Sequence, residues 1–231
     1  MERFSIRTIH RLVVPHKWYT CEMKQIDAIV LAAGLSRRMG APKLLLPWRD
    51  GTVLGATLAN VLASAVRQVV VVTGGYRLKV ESVIQNHTPP LDSLRKTDAS
   101  PSIVSTVHNP AFATGEMLSS LKVGLNALDQ EVDGCLVVLG DMPLVTSATI
   151  NLAVEALQTH ALVAPIYEGR RGHPVGFGRT LFPQFLNLPP QGAPRDVIRA
   201  HRQQMHLIDV DTESVLIDLD TKEKYEQWRP R

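Results

Sequence analysis

The stretch LAAGLSRRMGAPK at positions 31–43 carries two glycines, Gly34 and Gly40, and three cations, Arg37, Arg38 and Lys43. Glycines let backbone N–H groups approach an anion closely, and a guanidinium offers a planar fork of donors to phosphate oxygens. Arg38 and Lys43 can neutralise a triphosphate; a solvated loop with incidental charge is the bland alternative. Further along, Gly140-Asp141-Met142-Pro143 places an aspartate at the end of the apolar run CLVVL. Such a carboxylate can hold Mg2+, which takes one or two carboxylates together with substrate phosphates. Capping a helix is the other common job for an aspartate here. Opposite a phosphate loop, the metal reading is the stronger one.

Alternating strands and helices would position these groups. The patterns predict strands over 27–32, 68–73, 103–107, 136–139 and 162–166, with helices over 52–65, 77–86, 117–128 and 147–158. The run QVVVVT is rich in β-branched residues, as a strand buried on both faces requires. Residues 87–102, rich in Pro, Ser and Asp, read as a surface loop without an assigned function. After residue 167 the rhythm breaks: RRGHPVGF and QGAPRDVI read as loops, and VLIDLDTKEKYEQW as a strand, a turn and a final helix. Regular β/α alternation implies an α/β fold with a mostly parallel sheet and helices on both faces. Ligands in such sheets bind beyond the strand carboxyl ends, where the strand order reverses. In a 3-2-1-4 order the first and fourth strands are neighbours, so the loop 34–43 should face Asp141.

The glycine spacing excludes two familiar readings. Gly34 and Gly40 are separated by five residues and Lys43 follows three later, so no Walker A loop is present. G-x-G-x-x-G is also absent, which argues against a dehydrogenase. The formal net charge of +3 comes from scattered residues, so anionic small molecules fit better than nucleic acid. Cys21 and Cys135 form no CxxC pair, and Cys135 reads as a buried core thiol in a chain built for a reducing, cytoplasmic compartment. No apolar stretch approaches the ~20 residues of a membrane helix. Residues 1–24 read as a disordered N-terminal extension, with Met23 as the expected natural start and a single domain over 25–231.

LAAGLSRRMGAPK, GDMP and RGHPVGF together resemble the nucleotidyltransferases of molybdenum cofactor maturation, the cytidylyltransferases most closely. The resemblance covers residues 25–228 and implies a three-layer Rossmann-like nucleotidyltransferase fold. It implies that Leu31, Ala32, Ala33, Gly34, Ser36, Arg38, Met39, Gly40 and Lys43 wrap a nucleotide, joined by Gly74, Asn109 and Gly140. Arg38, Lys43 and Asp141 become the catalytic set. Gly115, Ser119 and Ser120 match the family's small-residue and double-serine element, and Ser119, Ser120, and Gly172 and His173 of the GHPV element fall near a pterin. His173 alone, between arginines, a glycine and a proline, would read as a structural or surface residue. Asp141 becomes the metal ligand, and Asp218, Asp220 or a water the second; Asp209 and Asp211 are weaker candidates. Glu116 stands where a glycine or variable residue is expected.

The implied reaction is Mg2+-dependent transfer of CMP from CTP to molybdenum-loaded molybdopterin. The guanylyl-transferring relatives carry glycine at the position of Ala33, and a methyl there crowds a purine more than a pyrimidine. One methyl is worth only ~1–3 kcal/mol in a pocket, so GTP is the nearest rival substrate. A sugar-phosphate nucleotidyltransferase and a non-catalytic molybdopterin chaperone are further alternatives. The implied partners are the nucleotide, the pterin and an apo-enzyme of the xanthine dehydrogenase type, with no nucleic acid or membrane.

Overall fold

The computed structural model describes residues 23–87, 103–114 and 116–230. The expected extension up to residue 22, Cys21, the loop over 88–102 and Gly115 lie outside the described residues. One mixed sheet organises the chain. Four consecutive parallel strands form one side of it: β1 (Ile26–Ala32), β4 (Gln68–Thr73), β5 (Ile103–His108) and β6 (Gly134–Leu139). A small antiparallel pair, β2 (Pro47–Trp48) and β3 (Gly51–Thr52), forms a hairpin ahead of the first helix. The remaining strands are β7 (Leu162–Tyr167), β8 (Arg170–Arg171), β9 (Val175–Gly178) and β10 (His206–Asp209). The order across the sheet is β10-β7-β9-β6-β1-β4-β5, with β8 beside β7. The expected 3-2-1-4 order is therefore present as β5-β4-β1-β6.

β1 lies between two parallel partners, with Val30 level with Val71 on one side and Val138 on the other. Successive strand residues face opposite layers. Ala28, Val30 and Ala32 pack into one core with Leu54, Leu58, Val80, Ile150 and Leu157. These come from α1 (Val53–Leu62), α2 (Arg77–His87) and α4 (Ser147–Leu157). Ile29 and Ala33 belong to the opposite core with Leu121, Leu125, Phe182, Phe185 and Val197. These come from α3 (Met117–Ala127), α5 (Phe182–Leu186) and α6 (Pro194–Ala200). The result is three layers. α1 and α4 begin as their sequences dictate: Thr52 and Thr146 accept the backbone N–H groups of Gly55 at 3.0 Å and Thr149 at 3.3 Å.

Two expectations for the C-terminal third are corrected, together with a third for the tail. The end of RRGHPVGF runs into strand β9 (VGFG), antiparallel between β6 and β7, because Phe177 enters the core while Gly176 lets Leu136 and Val163 close over the backbone. PRDVIRA is helix α6, started by proline in its first turn and by the Asp196 carboxylate accepting the Ala193 N–H at 2.9 Å. The strand expected at 215 onward is instead a 3-10 turn over Glu213–Leu216 followed by extended chain. Val215, Ile217 and Leu219 do alternate into the interior, but among the described residues no strand pairs with them. Ile217 and Leu219 pack on Trp48 and Tyr225, and α7 (Lys222–Trp228) closes this small core. Cys135 is fully buried as expected, and burial, then the Asp27 charge, pushes its thiol up.

Candidate active site

The sheet order changes direction between β1 and β6, and the loops leaving these two strands share a cavity of about 370 Å3. Leu31, Ala33, Gly34, Arg38 and Lys43 line it from the first strand and loop, Asp141 from the second loop, and Asp218 and Asp220 from the C-terminal segment. The expected meeting of residues 34–43 with Asp141 is thus present. Ser36 and Gly40 take left-handed conformations, with φ of 51° and 64°, which turn the loop back on itself. The Ser36 hydroxyl accepts the Lys43 N–H at 3.0 Å, fixing where the lysine departs from the backbone. Arg37 turns away and donates to the Ala113 carbonyl at 3.0 Å, leaving Arg38 and Lys43 as the loop's cations in the cavity.

The Lys43 ammonium donates to both Asp141 and Asp220, and Arg38 reaches Asp220 at 2.6 Å. Burial acts against the charged lysine, but the charge and hydrogen bond of Asp141, then those of Asp220, outweigh it and hold Lys43 above its usual range. Burial likewise opposes ionisation of Asp220, and Lys43, Arg38 and Lys224 together hold it below the usual carboxylate value. Asp218 accepts from Lys224. The C-terminal segment is tied to the second loop by the Leu219 N–H, which donates to the Asp141 carbonyl at 3.1 Å.

Other sequence candidates surround the cavity. Ser120 lines it, whereas Asn109, 1% exposed, is engaged throughout. Its amide donates to Ser119 at 2.9 Å and Ser120 at 3.0 Å, and its oxygen accepts the Ala111 N–H at 2.9 Å. Asn109 therefore positions the start of α3. Gly74 packs so tightly that a Cβ there would lie 2.3 Å from the Ala33 carbonyl oxygen. Gly140 follows β6, and its N–H donates to the Leu31 carbonyl at 3.0 Å. Ala32 is buried in the sheet core. Gly172 and His173 do not line the cavity; they hold the segment that does. A Cβ on Gly172 would come within 2.3 Å of the Val215 carbonyl oxygen, and the His173 N–H donates to that oxygen at 2.9 Å. Burial, the largest influence, holds the His173 imidazole below its ordinary value against the raising effects of the Val137 backbone, Asp141 and Asp218. Thr221 caps α7, its hydroxyl accepting the Lys224 N–H at 3.3 Å. Phe112 and Met117 also line the cavity. Neither belongs to a charged or glycine-rich motif, so sequence reasoning passes over them.

The donor set suits a hard divalent cation. Asp141 and Asp220 already converge on one ammonium, and carboxylate oxygens are what Mg2+ accepts. The lining holds four carboxylates, Glu116, Asp141, Asp218 and Asp220, against two cations, so a triphosphate would need further positive charge to enter. Among the described residues no group of three or more His, Cys, Asp or Glu side chains could by itself hold a metal ion. Substrate phosphates would have to complete the coordination.

Residues 28–205 match the MobA-like NTP transferase domain, and the chain belongs to that family. A molybdenum cofactor cytidylyltransferase of Escherichia coli (strain K12) is 29% identical over 203 residues, covering 88% of this chain and 95% of that protein. The purine catabolism protein PucB of Bacillus subtilis (strain 168) is 26% identical, with 87% and 94% covered. Among solved structures, Rv0371c from Mycobacterium tuberculosis H37Rv superposes with a TM-score of 0.71 at 28% identity, covering 89% of this chain and 97% of that one. The manganese complex of Rv0371c gives 0.68 at 27% identity, with the same coverage.

Proposed function

We propose that this chain transfers CMP from CTP to the terminal phosphate of molybdenum-loaded molybdopterin, releasing pyrophosphate. The observation that carries this reading is Lys43, held between Asp141 and Asp220 in a cavity that Ala33, Gly34 and Arg38 also line. The bond formed joins a pterin phosphate oxygen to the α-phosphorus; the bond broken is the α–β phosphoanhydride. The nucleophile is already anionic, so no strong general base is required. Catalysis is positioning and charge neutralisation. Lys43 and Arg38, on flexible stems at the cavity wall, offset charge building on the leaving pyrophosphate. Mg2+, when bound, supplies charge neutralisation along the triphosphate, and Asp141 with Asp220 or Asp218 would hold it. That Rv0371c forms a manganese complex supports a divalent cation in this reading. Ser120, which lines the cavity, is on the proposed pterin side, Gly172 and His173 act there through the 215–220 segment they hold, and the purine catabolism relative fits a recipient of the xanthine dehydrogenase type.

Ala33 favours CTP less strongly than its position in the motif suggests. It is 5% exposed and packs into the core with Val72 and Leu121, so little of its methyl is available to reject a purine. GTP is therefore the competing substrate. Pyrophosphate release with Mg2+, molybdenum-loaded molybdopterin and each nucleoside triphosphate in turn tests the reading. Turnover with CTP alone is expected. Turnover with GTP would assign the guanylyl reaction, and tight pterin binding without release would assign a carrier role.

A further inference from the structure

Four carboxylates line the cavity, and three are matched: Asp141 and Asp220 by Lys43, Asp220 also by Arg38, and Asp218 by Lys224. Glu116 is the exception. Its carboxylate has no hydrogen bond or ion pair among the described residues. It occupies the N-cap of α3 yet does not cap it; only its backbone carbonyl is used, accepting from Ser119. Without a cation between them, such an anion is repelled by the phosphate part of a nucleotide or pterin substrate. It can serve a neutral ring that presents N–H donors. Two apolar side chains line the same cavity: Phe112, which a Cβ on Gly75 would meet at 3.1 Å, and the 47% exposed Met117. An aromatic face and a thioether accept a planar heterocycle by stacking and sulfur contact.

Resting on the nucleotidyltransferase reading above, we infer that Glu116, Phe112 and Met117 form a seat for an amino-substituted heteroaromatic ring, with the carboxylate accepting its exocyclic amine. Three substrate rings share this chemistry. Cytosine presents its 4-amino group, and a pterin and the guanine of the competing GTP each present a 2-amino group beside a ring N–H. Uracil, with carbonyl oxygens on both sides of its only ring donor, is disfavoured. The seat thus adds selectivity for the ring to the phosphate chemistry of the Lys43 cluster.

The test is equilibrium binding to the full chain with Mg2+ present, read by calorimetry for CTP and UTP and by fluorescence quenching for pterin (2-amino-4-oxopteridine). Glu116→Ala is expected to keep the thermal midpoint, since the side chain caps nothing, and to weaken one amino-bearing probe about ten- to hundredfold. Glu116→Gln, which keeps an acceptor but loses the charge, should fall between. If CTP weakens and the CTP-over-UTP preference collapses, the nucleobase occupies the seat; if pterin weakens and CTP does not, the pterin does. Unchanged CTP and pterin affinity in Glu116→Ala, against measurable wild-type binding, overturns the seat. A wild-type chain that binds the probes through Glu116 but releases no pyrophosphate keeps the seat and overturns the transfer reaction instead.

Discussion

Residues 26–141 and residues 162–220 meet at one cavity but are held there by different means. The first region is repetitive: parallel strands alternate with helices, each strand pairs along most of its length, and two continuous cores clamp it. The second combines one six-residue strand with shorter strands, two short helices and 3-10 turns. It reaches the site through a few backbone contacts, chiefly His173 and Gly172 against Val215, and Leu219 against Asp141. Chemistry placed on the first region is fixed by the sheet itself. Chemistry placed on the second, Asp218 and Asp220, depends on a handful of close approaches and can be disconnected without dismantling the fold.

The largest effect should come from the rigid side. Asp141→Asn is expected to lower kcat by about a thousandfold, the upper range for losing one preorganised electrostatic group. Thermal melting should show the fold retained. Lys43→Ala is expected to cost about a hundredfold in kcat in steady-state assays. A rise in KM for CTP with kcat unchanged would mean that Lys43 binds ground and transition states equally.

Effects on the second region should be smaller and separable. Asp220→Asn frees Lys43 from one of its two carboxylates, and about a tenfold loss of kcat is expected. Gly172→Ala places a methyl against the Val215 carbonyl oxygen and should destabilise by about 1–3 kcal/mol. Chemical denaturation reads that cost, and activity should fall along with it because the 215–220 segment shifts. Full activity in Gly172→Ala would break the distinction between the two regions.

The smallest effect concerns pH. The buried His173 is held below its ordinary 6.5, so between 6.5 and its folded value the unfolded chain gains a proton that the folded chain does not. Stability should therefore decline as pH falls through that window, and His173→Gln should flatten the decline in denaturation measured across that range. Asp220, held below its ordinary 3.8, contributes stability that is present above that value and lost as pH falls through its lower folded value.

The same division explains what was legible in the sequence. β1, β4 and β6 announce themselves through short apolar runs, β4 with four consecutive valines, and the glycines and cations of residues 34–43 point to phosphate by residue type and spacing alone. VGFG is too short and too rich in glycine to read as a strand, and it gains its place only because β6 and β7 both need a partner. The alternation of Val215, Ile217 and Leu219 is real, but alternation marks a buried face and cannot say whether a strand pairs along it. Asp220 can be suspected from its carboxylate type, yet its meeting with Lys43 depends on the C-terminal segment crossing to the second loop through Leu219. Phe112 and Met117 carry no chemical type that marks a site, and only the cavity reveals them.

The central claim is that the paired cluster of Lys43, Asp141 and Asp220 performs nucleotidyl transfer. Mass spectrometry of the pterin after incubation with CTP and Mg2+ tests it most directly, with wild type and Asp141→Asn side by side. The pterin is expected to gain the mass of a cytidine monophosphate unit in wild type and to remain unchanged on the same timescale in the variant. Equal mass gain in both, or none in wild type, would contradict the account.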